Sequence, residues 1–272
     1  MAKLEPFRGD YYLWEYVPSI AASIVFLILF FILTAFHCWK AWKTRARFCI
    51  PFCIGVEIIG FAARAACTNQ TAELIPYIIQ SVFVLLGPVL FAASIYMVLA
   101  RLIRSVGAEK YSLVRINWVT KTFVSGDIIS FLVQGTGAGM MAMDGMGQMA
   151  KGIVIGGLMV QIIVFGFFIV TSIVFERRMK RGPTTGDTVW KKHLYPLYAV
   201  SWLIMVRSIF RVIEYAMGQK GYLLANEWPM FVFDAVLMVA VMVIWGYWHP
   251  GTIRQEAAGA QLLSMGSYQG KA

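Results

Sequence analysis

Residues 18–38 read PSIAASIVFLILFFILTAFHC, a stretch that contains no Asp, Glu, Lys or Arg. A helix of about 20 apolar residues is long enough to cross a hydrocarbon core of roughly 30 Å. The chain has 272 residues, of which 59% are hydrophobic and only 14% charged. Its apolar residues fall into seven runs of this kind. The sequence therefore predicts an all-α membrane protein whose seven spans cover about 18–38, 49–68, 76–100, 120–141, 154–175, 194–217 and 227–248.

The apolar runs are continuous, which favours helices over a transmembrane barrel with its alternating pattern. The residues before the first run are acidic and aromatic rather than basic, so we expect no cleavable signal peptide. The predicted organisation is an N-terminal arm at 1–17, one membrane domain at 18–250 and a disordered tail at 251–272.

The net charge of +10 is distributed unevenly between the two sides of the predicted bundle. Most of the 24 basic residues follow spans 1, 3, 5 and 7, and few lie in the other connections. The positive-inside rule then places the N-terminus outside and the C-terminus in the cytoplasm. This pattern argues against nucleic acid as the partner and suits anionic lipids of the inner leaflet. Asn69-Gln70-Thr71 is a candidate N-glycosylation site in a predicted outer loop.

Seven ionisable residues fall inside the predicted spans. Each would cost about 2.5–3.5 kcal/mol near a bilayer centre if it faced lipid, so these residues must pair with one another or line a wet cavity. Three polar amides, Gln80, Gln134 and Gln161, lie at neighbouring depths. The ionisable residues are Glu57, Arg64, Asp127, Arg207, Arg211, Glu214 and Asp234.

Helical spacing predicts that these side chains share one polar pocket in the outer half of the bundle. Arg207, Arg211 and Glu214 follow one another at i, i+4 and i+7 on one helix face. In this interpretation the three arginines face Glu214 and Asp234, with two further carboxyls below them. We expect Glu57, Asp127 and Asp234 to meet the amine of a cationic ligand, while the arginines hold these carboxylates in place.

Other chemistry receives less support from the sequence. His37, His193 and His249 lie at predicted cytoplasmic helix ends, but no close His-x-x-x-His pair supports a zinc hydrolase. The methionine-rich segment Met140–Met149 could bind copper through thioethers, although a flexible loop is the simpler interpretation. The last span contains no lysine for a retinal Schiff base. We therefore predict a protein that is not an enzyme and needs no metal or other cofactor.

Several motifs, taken together and in order, resemble the fungal lipid-translocating exporters, the Rta-like family named after resistance to aminocholesterol. The resemblance covers about residues 12–251, with Gly60-Phe61 standing where Gly-Tyr is frequent in the family. The motifs are YVPS at 16–19, EIIGFAAR at 57–64, Gln80, GPVLFAASIYMVLARL at 87–102, DIIS at 127–130, QGTG at 134–137, GGLMVQ at 156–161, RSIFRVIE at 207–214, Glu227, FD at 233–234 and HPG at 249–251.

The resemblance implies a multi-pass protein, which we expect in the plasma membrane, that exports or flips sphingoid bases or other toxic amphiphiles. Its partners would be membrane lipids or amphiphilic small molecules. A second hypothesis is a seven-helix lipid sensor whose basic loops engage a cytoplasmic partner. Transport of porphyrin or haem and an intramembrane metal hydrolase remain as further alternatives.

Overall fold

The computed structural model describes residues 6–7, 12–14, 16–45, 49–69, 71–140, 146–181, 189–218 and 221–248. Every regular element in these ranges is helical, which confirms the predicted all-α class. The predicted tail at 251–272 lies outside the described residues, as do His249, Met141 and Met143. The helices are α1 (Ile20–Thr44), α2 (Ile50–Cys53), α3 (Val56–Cys67), α4 (Leu74–Ser105), α5 (Ile116–Met140), α6 (Gly147–Arg181), α7 (Val189–Met217), α8 (Tyr222–Ala225) and α9 (Trp228–Tyr247).

Six of the described helical segments are long and apolar enough to cross a membrane. They correspond to six of the seven predicted spans, with α2 and α3 together forming one of them. Four of them run past the predicted boundaries at one or both ends, because hydropathy detects only the part of a helix that lies in lipid. The segments are Ile20–Thr44, Ile50–Cys67, Leu74–Ser105, Gly147–Arg181, Trp190–Met217 and Trp228–Tyr247.

The predicted fourth span corresponds to α5, which is long enough to cross but less apolar than the other six. Within its 25 residues, the segment from Asp127 to Gln134 has opposite kinds of side chain on opposite faces. Asp127, Ser130 and Gln134 are buried in the bundle, whereas Ile129 and Leu132 are 58% and 60% exposed. Because the polar face of this segment points inward, the mean hydropathy of α5 underestimates how apolar the outer surface of the segment is.

Helix α4 lies at the centre of the bundle. It packs against α2, α3, α5 and α7, while the other long helices follow one another from α3 through α1, α9, α7 and α6 to α5. Within its apolar segment 67% of the residues are buried, against 22% for α1. Side chains attached to α4 therefore have neighbours on all sides.

The two ends of the bundle differ in charge. We call the end that holds residues 12–19, Cys67, Leu74 and Met217 the arm end, and the opposite end the basic end. The described basic residues that follow the first, third and fifth predicted spans gather at the basic end, which agrees with the charge distribution in the sequence. They are Lys40, Lys43, Arg45, Arg101, Arg104, Lys110, Arg115, Lys121, Arg177, Arg178, Lys180, Arg181, Lys191 and Lys192.

Three of the helical segments depart from regular α-helical geometry. Gly55, with φ of 71°, separates α2 from α3 in a conformation that other residues rarely adopt. Pro88 lies inside α4. Residues Phe231–Val236 of α9 form a π-helical turn, a feature frequently found at functional sites. Gly55 and the π-helical turn lie close in sequence to the buried Glu57 and Asp234, and Pro88 follows Gly87, against which the Glu57 carboxyl rests.

Candidate functional site

The largest group of buried charges joins α7 to α9, and we call Arg207, Arg211, Glu214 and Asp234 the arginine cluster. Asp234 Oδ1 lies 2.9 Å from Arg207 Nε and accepts a hydrogen bond of 3.1 Å from Arg211 Nε. Arg211 also contacts Asp234 Oδ2, and its Nη1 donates to Glu214 Oε2 at 2.8 Å. All four side chains are at least 89% buried. The spacing in RSIFRVIE brings Arg207, Arg211 and Glu214 to one face of α7, as predicted.

Arg207 also reaches across the bundle to the backbone of α4. Its Nη2 donates to the carbonyl oxygen of Val84 at 2.7 Å. In a regular α-helix that carbonyl would accept from the N–H of the residue four positions later, but this residue is Pro88, which has no N–H. The proline therefore leaves an acceptor in the core, and a buried guanidinium occupies it. This explains how the Nη2 donor of an arginine near the bundle centre is satisfied.

Glu57 lies beside the arginine cluster but forms no ion pair with it. Its carboxyl rests on Gly87 of α4, where a Cβ atom would lie 2.7 Å from the Glu57 Cδ and closer still to Oε1. Glu57 Oε1 is buried and has no hydrogen-bond partner among the described residues. Arg207, Arg211 and Asp234 are near enough to interact with it electrostatically. Counted with Glu57, the cluster has two positive and three negative groups.

Arg64 belongs to a different group, which corrects the prediction that it faces Glu214 and Asp234. Its Nη2 donates to Glu227 Oε1 at 2.7 Å and to the Tyr16 hydroxyl at 3.1 Å. Two helical turns, about 10 Å, separate Arg64 from Glu57, so its guanidinium reaches the arm end instead of the cluster. Burial raises the pKa of Tyr16, more than the nearby Arg64 lowers it, and the phenol stays neutral.

The arm end closes around this arginine. The guanidinium lies 5.3 Å from the Trp14 ring, 5.8 Å from Tyr16 and 5.1 Å from Phe231. Glu227 Oε1 also accepts a 2.8 Å hydrogen bond from the backbone N–H of Ser19, the residue that caps α1. Glu227 was not among the predicted site residues. The sequence did contain a sign of its role. Glu227 is a carboxylate at the first position of an apolar run, and such a group is costly to bury without a cation.

Asp127 lies apart from all three arginines, so the predicted single pocket is divided. Its Oδ2 accepts a 2.7 Å hydrogen bond from the Tyr96 hydroxyl of α4. Two turns after Asp127 on α5, Gln134 Nε2 donates a hydrogen bond to Gln161 Oε1 of α6 at 2.9 Å. Gln80 is buried on α4, and its Oε1 has no hydrogen-bond partner in the described part of the chain. The division arises because α4 lies between α5 and the cluster on α7 and α9.

The remaining candidates do not assemble into a metal site in the described residues, where no three His, Cys, Asp or Glu side chains could hold an ion. His37 is buried on α1, and its Nε2 lies 3.0 Å from the carbonyl oxygen of Met242. His193 is buried at the start of α7. Asn69 is exposed at the arm end, directly after α3, and its glycosylation stays a prediction.

The chain belongs to the family whose model is described as RTA1 like protein, which matches residues 50–257. It is 33% identical to protoporphyrin uptake protein 1 of Saccharomyces cerevisiae over an alignment of 275 residues. The alignment covers 86% of this chain and 91% of the relative. Protein RTA1 of the same yeast is 34% identical over 267 residues, covering 87% and 84%. The sphingoid long-chain base transporter RSB1 of that species is 24% identical over 277 residues, covering 86% and 72%.

No solved structure matches the chain. The family and the six apolar helical segments identify an integral membrane protein that crosses the bilayer several times. The resemblance seen in the sequence motifs is thereby confirmed.

Proposed function

We propose that this protein translocates amphiphilic lipids with a cationic headgroup, such as sphingoid bases, across the plasma membrane, and so protects the cell from toxic amphiphiles. A relative with a similar span of chain is named a sphingoid long-chain base transporter. The observation that carries the proposal is Glu57, a buried carboxyl without an ion pair beside a cluster whose two arginines are already matched by Asp234 and Glu214. The amine of a bound lipid would supply the missing positive charge.

The charges also favour a cationic ligand over an anionic one. A porphyrin offers carboxylates, which need arginines with free donors, and another relative is named a protoporphyrin uptake protein. Arg207 and Arg211 already bind Asp234, Glu214 and the Val84 carbonyl. Asp234 is equally occupied, so of the carboxyls that the sequence predicted to meet the amine, Glu57 rather than Asp234 keeps that role.

The proposed topology has seven spans, with the N-terminus outside and the C-terminus in the cytoplasm. Helix α5 would be the seventh span because its exposed face, with Ile129 and Leu132, is suited to lipid. The positive-inside rule places the basic end in the cytoplasm. The arm end, with the arginine cluster in the half of the bundle nearest to it and Glu57 near the middle, would then face outward.

Glu57 is closed off in this structure, so a lipid must open the bundle to reach it. Gly55 separates α2 from α3 only two residues before Glu57. A short helix attached through a glycine can tilt without breaking internal hydrogen bonds, as in transporters built on interrupted helices. We therefore place the opening movement at α3, with α4 as the surface from which it departs.

The direct test measures movement of a long-chain base out of vesicles that contain the purified protein. Glu57→Gln keeps the shape of the side chain but removes its charge. A hydrogen bond to a charged group contributes about 1.5–3 kcal/mol, so we expect a roughly ten- to hundredfold loss of apparent affinity. Glu176→Gln, which alters a glutamate paired with Lys180 at the basic end, is the matched control. Equal rates for wild type and empty vesicles, or for wild type and Glu57→Gln, would contradict the proposal.

The alternative function is a lipid sensor, and the concentration of basic side chains at one end is the observation that favours it. A bound lipid would shift the helices and change how that end engages a cytoplasmic partner or anionic lipids. Lipid-dependent capture of such a partner by a purified protein that moves no lipid would support the sensor. Lipid movement by the pure protein supports the translocator.

A further inference from the structure

Asp127 is a buried carboxyl that the proposed amine site does not use. Its side chain is 1% exposed, and Tyr96 donates the one hydrogen bond that reaches Oδ2. The other oxygen, Oδ1, has no partner within the described ranges. The carboxyl is thus held by a single neutral donor in the middle of a helix that packs between α4 and α6.

The partner of Asp127 is an aromatic hydroxyl, and the ring that carries it is packed among other aromatic rings. Tyr96 is the ionisable group that α4 brings to it, and α6 contributes Phe165 and Phe168, which pack on the Tyr96 ring at 6.0 and 4.6 Å. Phe123 of α5 covers the same ring at 5.3 Å. Arg207 and Arg211 pair with Asp234, Glu214 and the Val84 carbonyl rather than with Asp127.

These surroundings determine which cation the carboxyl can take. A sodium, calcium or magnesium ion needs several oxygen ligands, and the aromatic rings offer none. An ammonium group needs at least two or three acceptors for its N–H donors. A proton needs only the carboxylate oxygen itself. An ionised carboxylate in this position costs more than a neutral acid with one unsatisfied donor.

We propose that Asp127 is a proton-binding site whose proton moves in exchange for the cationic lipid. This inference rests on the proposed function for its coupling, but the proton site stands by itself. In one step Asp127 gains a proton from one side of the membrane and becomes neutral. In the other step Asp127 releases that proton to the opposite side, while the cationic lipid crosses in the reverse direction. One positive charge therefore crosses each way.

Helix α4 gives the exchange a structural connection. Gly87, which supports Glu57, and Tyr96, which binds Asp127, are nine residues apart on this helix, or about 13 Å along its axis. Glu57 and Asp127 therefore contact the same rigid element from different neighbours. When α3 moves away to admit a lipid at Glu57, α4 loses its contact at Gly87, and the readjustment of α4 that follows moves Tyr96 relative to Asp127. The hydrogen bond that favours the ionised carboxylate changes with it.

The first experiment detects the proton directly. Infrared difference spectra of the full-length protein in phosphatidylcholine vesicles, recorded during a pH titration, should show the C=O stretch of a protonated carboxylic acid. We expect Asp127→Asn to remove that band and Tyr96→Phe, which keeps the carboxyl but not its donor, to shift it. Glu57→Gln, which alters another buried carboxyl, should leave it in place. An unchanged spectrum in Asp127→Asn would overturn the proton site.

The second experiment tests coupling with a trimethylammonium amphiphile of sphingoid chain length, which cannot carry a proton by itself. In wild type we expect a pH gradient to accelerate its movement severalfold and a trapped pH dye to report protons moving the opposite way. Asp127→Asn should lose both responses. Wild-type movement that ignores the gradient overturns the exchange and leaves the translocator intact. No movement of this amphiphile or of a long-chain base instead refutes the proposed function.

Discussion

At the scale of single residues, the arm end depends on one arginine. Arg64 is 1% exposed, pairs with Glu227 and is surrounded by three aromatic rings. The rings attract a cation through their π faces, and Glu227 also receives the backbone N–H of Ser19. One guanidinium thus connects α3, α9 and the arm.

Arg64→Gln should destabilise the protein because it leaves Glu227 without its cation in a mostly buried position. Loss of one partner from a buried ion pair costs about 3–5 kcal/mol, and the 19% exposure of Glu227 places the effect at the lower end. Thermal unfolding of the purified protein in detergent measures the change. The control is Lys180→Gln, whose ion pair with Glu176 has a lysine that is 51% exposed. Equal melting temperatures for the two variants would contradict this account.

Gly87 is the second residue on which the site depends, because only hydrogen fits between α4 and the Glu57 carboxyl. In Gly87→Ala the new methyl group should push this carboxyl away, at a cost of about 1–3 kcal/mol for overpacking. We expect a lower melting temperature together with slower lipid movement. Gly156→Ala is the matched control, since a Cβ there meets nothing within 4 Å. The prediction is wrong if the two alanines have the same effect.

At the scale of helices, hydropathy predicted the positions of the long apolar segments but not their irregularities. The π-helical turn around Asp234 and the interruption at Gly55 arise from tertiary packing, which a single sequence does not reveal. The role of Pro88 was partly visible, because a proline within an apolar run frees the carbonyl four residues earlier. The sequence could not indicate that Arg207, on another helix, would bind that carbonyl.

Two further features could not be predicted for the same reason: the pairing of Arg64 with Glu227 and the separation of Asp127 from the arginines. Spacing along one helix places residues on a common face, as it did for Arg207, Arg211 and Glu214. It does not indicate which helices become neighbours, and α4 separates α5 from the cluster on α7 and α9. Helix α5 shows the opposite weakness, because averaging over a helix with a polar inner face conceals its apolar outer face.

At the scale of the whole molecule, the number of crossings determines which sides the loops occupy. If α5 spans the membrane, the end of α6 lies on the same side as the connection between α4 and α5. If α5 does not span the membrane, the end of α6 lies on the side opposite to that connection. Surface residues on either side of α5 therefore distinguish the two topologies.

Single cysteines placed in a background without Cys38, Cys49, Cys53 and Cys67 test this topology. We expect a membrane-impermeant thiol reagent to label Asn69→Cys on intact cells, but Glu109→Cys and Arg178→Cys only after permeabilisation. All three positions are exposed. Labelling of Arg178→Cys from outside would show that α5 does not cross, and labelling of Glu109→Cys from outside would reverse the proposed orientation.

The contact between Glu227 and Ser19 also has a consequence for how the protein is made. The two residues are 208 positions apart, so the arm leaves the ribosome long before its acceptor is synthesised. During that interval Arg64 and its aromatic neighbours from the arm lack the carboxylate of Glu227, which directly precedes α9. A chain that stops before residue 227 would hold a buried cation without its counterion, and its arm end would be destabilised.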